Sequence, residues 1–439
     1  MSESPRSTLP DDHIASPVPA TERRSFLGLM FTTSSWILSM SSMWTGSLLG
    51  QGMPLPRALL AIVLGMAILA GYGGLQGWLG GRYGVSTVVL AREAFGSAGA
   101  RLLGGVLALT LGIGWFGWQL AFFADTLHAM FPAAAWASVT AASLWGGALM
   151  IVTALFGYRA LASLSVVALP LKAGLVLWGL SLAARHAGAG GGIAHPPLAL
   201  FEGVALVVGN AAIGAVIFPD LTRYARSPLQ GALASASGYF LGGLVSLSAG
   251  AMFVQVAGAA GGTLPAAMAA AGMGTAGFLI LLFAQWTTNT SNLYSGTLGL
   301  AGVLRLPSAL SCIGMGVLGI CIALSGDQQR FVPFLTALGH YVPPIAGVML
   351  ADHWIGKRLL RGRAYRVDAD APVARIGWGA LATVLLAGGL ASQWHWGIAP
   401  LNAVVLGFVL QAGLQVLQVR QEGKVLASST GNPDPSEGQ

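Results

Sequence analysis

Long apolar stretches separated by short polar segments run through almost the whole chain. Each is about 20 residues long, the length that an α-helix needs to cross the hydrocarbon core of a bilayer. Because backbone polar groups inside a bilayer must be paired within the segment, the pattern predicts an all-α integral membrane protein. It predicts twelve transmembrane helices, the spans, numbered in chain order, near residues 26–50, 58–80, 102–128, 134–157, 160–184, 199–219, 230–257, 274–298, 307–325, 331–351, 375–394 and 398–419.

The composition excludes the main alternatives. Only 8% of the 439 residues are charged and 55% are hydrophobic, whereas a soluble domain has about 25% charged residues. A soluble fold so poor in charge could not cover its surface, and a disordered chain would be less hydrophobic. The two cysteines, Cys312 and Cys321, lie too far apart along one apolar segment to form a disulfide. The stretch 26–50 is too long for a signal peptide and follows a polar tail.

Basic residues predict the orientation, since loops on the cytoplasmic side are rich in Lys and Arg. With both termini in the cytoplasm, 18 of the 22 basic residues lie on that side and 3, Arg57, Arg185 and Arg330, on the other. The net charge of +7 therefore indicates topology and contact with anionic lipids, and no nucleic-acid partner is expected.

Lys172, the remaining basic residue, lies in the middle of span five. An ionisable group at that depth is costly unless it faces water or a partner, and it usually marks a functional site. A lysine that reaches the membrane surface is the alternative, but thirteen positions separate Lys172 from both Arg159 and Arg185. We therefore expect a functional role for Lys172.

The chain has no GxxxxGK[ST] loop and no cluster of His, Cys, Asp or Glu with metal-ligand spacing. ATP-driven transport is therefore disfavoured, and neither a cofactor nor a resident metal is expected. Twelve spans without a motor favour a secondary active transporter. An intramembrane sensor or enzyme is the alternative, but an enzyme would need a catalytic group at depth, where we find only Lys172.

Polar residues inside spans one and six suggest a binding site. In many transporters, helices broken at mid-membrane in two inverted halves hold the substrate and the ion. Span one is rich in hydroxyl groups over residues 32–42, and span six contains Asn210 between Gly209 and Gly214. Their separation by five spans fits a five-plus-five repeat, although such residues also serve helix packing.

Span eight carries Gln285 and Asn289, four positions apart, with Thr287 and Thr288 between them. These groups cannot face lipid without unpaired donors, and hydroxyl and carbonyl oxygens are typical ligands of a dehydrated alkali cation.

Span three carries Trp115 and Gln119, four positions apart and therefore on one helix face. An indole beside an amide suits a flat heterocycle with donors and acceptors on its edge. The alternative is aromatic packing with a structural glutamine.

Together these segments resemble the nucleobase–cation symporter family, most closely its bacterial cytosine permease branch, over nearly all of the chain from Ser25 to Arg420. The resemblance rests on six motifs in order: Ser-Met-Trp-Thr-Gly at 42–46, Gly-Trp-Phe-Gly at 114–117, Ala-Leu-Val-Val-Gly at 205–209, Asp-Leu-Thr-Arg-Tyr at 220–224, Trp-Thr-Thr-Asn at 286–289, and Pro-Pro-Ile-Ala-Gly-Val-Met-Leu-Ala-Asp at 343–352.

The resemblance implies a five-plus-five inverted-repeat core of spans one to ten with two peripheral helices. It implies a monomeric, multi-pass protein of the bacterial cytoplasmic membrane with lipid and a small nucleobase-like substrate as partners. The implied parts are a cytoplasmic tail 1–24, a first repeat 25–184, a second repeat 199–351, a basic cytoplasmic loop 352–374, peripheral spans 375–419 and a cytoplasmic tail 420–439.

The resemblance also implies a substrate site between spans one, three, six and eight, where Trp115 stacks on the base. The residues that read its edge would be Gln119, Asn210, Gly214 and Asn289, beside Gln285. The implied sodium site comprises Ala284, Thr287 and Thr288 with the carbonyls of Ser35 and Leu38.

Three positions depart from the cytosine permease pattern: Ala211 stands in place of an aromatic residue, Ala284 in place of an asparagine, and Lys172 in place of an apolar residue. In related transporters, a lysine on span five near the sodium site can make the carrier proton-driven. Sodium and proton coupling therefore both stay open. A cytosine-like pyrimidine is favoured, with a purine, a hydantoin or a hydroxymethylpyrimidine as alternatives.

Overall fold

The computed structural model describes residues 16–156, 170–179, 181, 185, 197–257, 264–270, 272–304, 306–326, 330–368, 372–394 and 396–430. Their regular structure is helical, apart from one bridge between Arg24 and Ala225, which confirms the predicted fold class. Every predicted span contains helix: Phe26–Ile37 and Met40–Gly52, Leu55–Tyr83, Thr87–Leu109 with Thr110–Trp115 and Phe116–Met130, Val139–Leu155, 170–179, Leu200–Val216, Pro228–Ala257, Thr275–Leu304, Ser308–Leu324, Phe331–Tyr341 with Pro343–Ala351, Trp378–Gln393, and Ala399–Thr430.

Six helices of the described residues are long and apolar enough to cross a membrane, and four shorter helices are also apolar. Large apolar side chains cover the outside of the bundle, among them Leu385 at 65% and Trp378 at 71% exposure. Such apolar surfaces are expected where helices face lipid instead of water. The chain is a multi-pass membrane protein.

Span one is broken in the middle, as its polar sequence suggests. Its first helix ends at Ile37, and Ser39 adopts an extended conformation with φ −135° and ψ 159°. The Ser39 hydroxyl accepts a hydrogen bond from the backbone N–H of Ser42 and so caps the second helix, Met40–Gly52.

Span six is not broken at its two glycines, contrary to the expectation. The helix Leu200–Val216 runs through both, and the chain turns only before the short helix Pro219–Thr222. A Cβ added at Gly209 would lie 2.0 Å from the backbone oxygen of Leu335. The glycine therefore permits close packing of span six on span ten instead of a break.

Span one also packs closely on span seven. A Cβ added at Gly46 would lie 1.9 Å from the backbone oxygen of Leu247, and one at Gly250 would lie 1.8 Å from that of Met43. Small residues at helix contacts let backbones approach in this way inside membranes. Each of the two helices thus has a glycine where the backbone of the other comes closest.

Span three begins with a separate short segment. Gly96 has a φ of +77°, which bends the chain between residues 87–95 and the rest of the helix. A Cβ at Gly96 would lie 2.6 Å from the backbone oxygen of Ala374, so both the φ angle and the space require glycine. Further along, Thr110–Trp115 is π-helical and ends at the predicted stacking tryptophan.

Span ten continues beyond its predicted end at residue 351. Asp352–Leu359, predicted as the start of a loop, forms a π-helix. Glu93 stabilises this end of the bundle because its carboxylate pairs with Lys357 at 3.2 Å and with Arg363 at 3.1 Å. We call the end of the bundle that carries Glu93 and residues 357–366 the basic end.

Candidate functional site

Trp115 lies inside the bundle and does not face lipid. Its side chain is 5% exposed, and its ring meets those of Phe334 at 5.5 Å and Phe331 at 6.2 Å in edge-to-face geometry. The π-helical turn that ends at Trp115 shifts the register of span three, and such turns are frequent at functional sites.

The span-three glutamine links three spans. The side-chain nitrogen Nε2 of Gln119 donates to the hydroxyl of Ser41 in span one at 3.3 Å. The Nε2 of Gln285 in span eight donates at 2.8 Å to the backbone oxygen of Gln119. Both amides are buried, at 3% and 1% exposure.

Asn289 binds the same stretch of span three one helical turn earlier. Its side-chain Nδ2 donates to the backbone oxygen of Phe116 at 3.0 Å and lies 3.3 Å from the sulfur of Met150. Its side chain is fully buried. The three amides therefore lie next to one another where spans three and eight meet, directly after Trp115.

Asn210 of span six joins this group through hydroxyl groups of span one. Its Oδ1 accepts from Thr45 at 3.2 Å, and its Nδ2 donates to the hydroxyl of Ser42 at 3.1 Å. The hydroxyl of Ser39 lies 3.1 Å from that of Ser42 and 2.9 Å from that of Ser41. A continuous hydrogen-bonded chain thus runs from Asn210 to Gln119.

Three side-chain oxygens in this polar core are buried, and no described residue donates a hydrogen bond to them: Gln119 Oε1, Gln285 Oε1 and Asn289 Oδ1. A buried acceptor without a donor costs about 1–3 kcal/mol. Such atoms are found where a ligand supplies the missing donors, or where water does.

The predicted cation ligands of span eight lie together. The hydroxyls of Thr287 and Thr288 both donate to the backbone oxygen of Ala284, at 2.9 Å and 3.0 Å. The ammonium of Lys172, which is 7% exposed, donates to the hydroxyl of Thr288. Lys172 therefore reaches the predicted cation ligands of span eight.

The other predicted cation ligands, Ser35 and Leu38, lie at the break of span one. Ser35 belongs to the last turn of the first helix of span one. The backbone N–H of Leu38 donates to the backbone oxygen of Ser34 at 3.0 Å. The described hydrogen bonds do not connect these two residues to span eight.

Gly214 contacts span seven. A Cβ added there would lie 2.1 Å from the hydroxyl of Tyr239, which donates to the backbone oxygen of Ala211 at 3.0 Å. Close helix packing thus accounts for a glycine at this position.

An aromatic cluster lies about one helical turn beyond the polar core, in spans one, three and ten. Trp44 and Phe122 stack at 4.1 Å with an interplanar angle of 13°, and Phe331 meets Phe122 edge-on at 5.0 Å. The sequence analysis assigned no role to Phe122 or Phe331, and it included Ser41 only as one of the hydroxyl groups of residues 32–42. Ser42 and Trp44 belong to the Ser-Met-Trp-Thr-Gly motif at 42–46 on which the family resemblance partly rests. That motif was the feature of the sequence that pointed to this part of span one.

A crevice of about 650 Å³ lies beside Trp118. It opens at the surface near Cys321 and Arg330, and it is largely apolar. None of the predicted site residues is among those that line it: Leu109, Thr110, Ile113, Gly114, Trp118, Cys321, Ile322, Ser325, Arg330 and Phe334.

The broken first span and the polar core buried among apolar helices are typical of membrane transporters. A family model described as "Permease for cytosine/purines, uracil, thiamine, allantoin" matches residues 17–411. The chain belongs to this family of permeases, the nucleobase–cation symporters, and is a transporter and not an enzyme.

Curated relatives support the same assignment. The cytosine permease of Escherichia coli (strain K12) is 32% identical over 397 residues, covering 89% of this chain and 91% of the relative. The cytosine permease of Escherichia coli O157:H7 has the same identity and coverage.

Solved structures show the same fold. Mhp1, a nucleobase-cation-symport-1 family transporter in a closed conformation with bromovinylhydantoin bound, has a TM-score of 0.71 at 19% identity, covering 95% of this chain and 97% of that one. A Na⁺-coupled sialic acid symporter has a TM-score of 0.62 at 12% identity, covering 95% and 93%.

Proposed function

We propose that this protein is a secondary active transporter that imports a cytosine-like nucleobase by cation symport with alternating access. The observation that carries the proposal is the polar core beside Trp115. Its three unpaired amide oxygens lie deep in an apolar bundle. A flat ring with polar edges has the chemistry that matches an indole and a set of neutral amides.

The named relatives support the choice of substrate class. Those that are 32% identical over most of both chains are cytosine permeases. Cytosine is therefore the first substrate to test, followed by other pyrimidines, purines, hydantoins and hydroxymethylpyrimidine.

In the proposed mechanism the base stacks on Trp115 while amide groups bind its edge. Gln119, Gln285 and Asn289 contribute from spans three and eight, and Asn210 contributes from span six. Backbone groups near Gly214 would complete the site. Each water that the base loses on entry must be replaced by one of these groups, since an unpaired buried polar group costs about 1–3 kcal/mol.

The coupling cation would bind where spans one and eight meet. For sodium, the ligands would be the carbonyl of Ala284, the hydroxyls of Thr287 and Thr288, and the carbonyls of Ser35 and Leu38. Oxygen ligands of this kind suit an alkali cation.

Proton coupling through Lys172 is the second candidate, favoured by the hydrogen bond from its ammonium to Thr288. A sodium ion about 4 Å from a charged ammonium would be repelled by about 4 kcal/mol at an effective dielectric constant of about 20. Sodium and the protonated lysine therefore exclude each other. Protonation of Lys172 would take the place of sodium binding.

The proposal includes a location and an orientation. The protein would lie in the bacterial cytoplasmic membrane as a monomer with both termini in the cytoplasm. The excess of basic residues on that side supports this orientation. The basic end would then face the cytoplasm.

Purified protein in proteoliposomes tests the proposal. A thermal-shift screen against the candidate rings, with and without sodium and at several pH values, identifies the ligand, and uptake of the labelled ligand then measures transport. Saturable binding without accumulation would indicate a sensor, and chemical change of the supplied base, detected by mass spectrometry, would indicate an enzyme. Either result would refute the proposal.

A further inference from the structure

The three buried amides of the polar core bind the protein through their nitrogen atoms. Gln285 and Asn289 donate to the backbone oxygens of Gln119 and Phe116. A carbonyl oxygen can only accept, so neither amide can be turned over without losing its bond. Their oxygens are therefore left as acceptors.

Gln119 differs because its partner is a hydroxyl group. The hydroxyl of Ser41 can accept from the amide nitrogen or donate to the amide oxygen. The hydroxyl also lies 2.9 Å from that of Ser39. When Ser41 donates to Ser39, it has only lone pairs left for Gln119, whose amide nitrogen then binds Ser41 and whose oxygen is left as an acceptor without a donor.

We propose that the site selects its ring by N–H donors, and that Ser41 is the positioning residue that gives Gln119 the same acceptor character as Gln285 and Asn289. This inference rests on the proposed function and narrows its substrate class. The ligand is a flat heterocycle whose bound edge carries amino or ring N–H groups. A ring of the same size without those groups would leave the buried oxygens unpaired.

Cytosine analogues can distinguish the effect of a missing N–H donor on binding from the effect of the size of the ring. Pyrimidin-2-one lacks the amino group of cytosine and adds no bulk, and 1-methylcytosine lacks the ring N–H. The matched control, 5-methylcytosine, carries the same extra methyl group and keeps all the donors. One unpaired buried group corresponds to roughly five- to 150-fold in affinity. We therefore expect the first two to compete for cytosine uptake at least about fivefold more weakly than 5-methylcytosine.

Substitutions at Ser41 test its positioning role. Ser41→Ala leaves the Gln119 amide free to present either edge, so the preference for cytosine over pyrimidin-2-one should fall about threefold or more. Ser41→Thr keeps the hydroxyl and should retain the preference. The matched control is Ser235→Ala, because Ser235 is also buried but bonds to Gly231 within span seven. If Ser41→Ala does not fold, Ser41→Cys gives the same comparison, since a thiol is a weak hydrogen-bonding group.

The outcomes are distinct. Two results together support the inference. Pyrimidin-2-one and 1-methylcytosine compete weakly, and the preference for cytosine over pyrimidin-2-one falls in Ser41→Ala but not in Ser235→Ala. Equal competition by all three analogues overturns it while leaving cytosine transport intact. An unchanged preference in the Ser41 variant overturns the positioning role. Failure of every ring in the panel to bind overturns both this inference and the proposed function.

Discussion

The contact between spans one and seven gives the sharpest prediction of stability. In Gly46→Ala the new Cβ would lie 1.9 Å from the backbone oxygen of Leu247, whereas ordinary contacts begin at 3.4 Å. The obstacle is backbone and cannot rotate away, so the two helices must separate by about 1.5 Å.

The cost follows from two opposed terms. Overpacking costs about 1–3 kcal/mol, and the rigid obstacle places this substitution at the upper end. Alanine regains about 1 kcal/mol of helix propensity over glycine. We therefore expect Gly46→Ala to lose about 2 kcal/mol of stability.

Thermal unfolding of the purified protein in detergent measures the effect. The matched control is Gly71→Ala in span two, where an added Cβ meets nothing within 4 Å. We expect this control to melt at or slightly above the wild-type temperature, and Gly46→Ala to melt clearly below it. A Gly46→Ala protein as stable as Gly71→Ala would refute the packing argument.

Three further predictions concern the site and the basic end. Trp115→Ala should lower uptake at least about fivefold at unchanged expression, because stacking of one base is worth about 1–3 kcal/mol. Trp378→Ala, at 71% exposure, is the control, and normal uptake in Trp115→Ala would remove the stacking role. Lys172→Met should abolish uptake driven by an imposed proton gradient, and unchanged uptake with the same ion dependence would exclude proton coupling through this residue. Glu93→Gln should lower the free energy of unfolding by about 2 kcal/mol. This is less than the roughly 3–5 kcal/mol lost when a fully buried ion pair is broken, because Arg363 is 30% exposed. An unchanged midpoint of unfolding in denaturant would show that the ion pairs of Glu93 contribute nothing to stability.

The sequence predicted the helices well because the length of an apolar stretch reports directly on the thickness of a bilayer. It also predicted the break in span one, where several hydroxyl groups follow one another. The same reasoning failed in span six. Glycine permits either a break or a close contact, and the backbone of Leu335, far away in sequence, decides in favour of contact at Gly209. The π-helices at Thr110–Trp115 and Asp352–Leu359 have no compositional signature.

The candidate site was predicted in its parts but not in its connections. Spacing placed Gln285 and Asn289 on one face, and the structure adds that both bind span three. The link from Asn210 through Ser42 to Gln119 depends on how span one packs between its neighbours. Hydropathy carries no information about such pairing between helices.

Hydrogen bonds hold both ends of the segment 87–95 at the basic end of the bundle. The N–H of Thr87 donates at 2.7 Å to the carboxylate of Asp220, just beyond span six. The backbone oxygen of Phe95 accepts at 2.6 Å from the N–H of Gly377, just before the helix of span eleven. Any tilt of span six relative to the peripheral helices would therefore strain the hydrogen bonds at both ends of this short helical segment. We expect the bend at Gly96, remote from the polar core, to limit how far span three can follow such a movement.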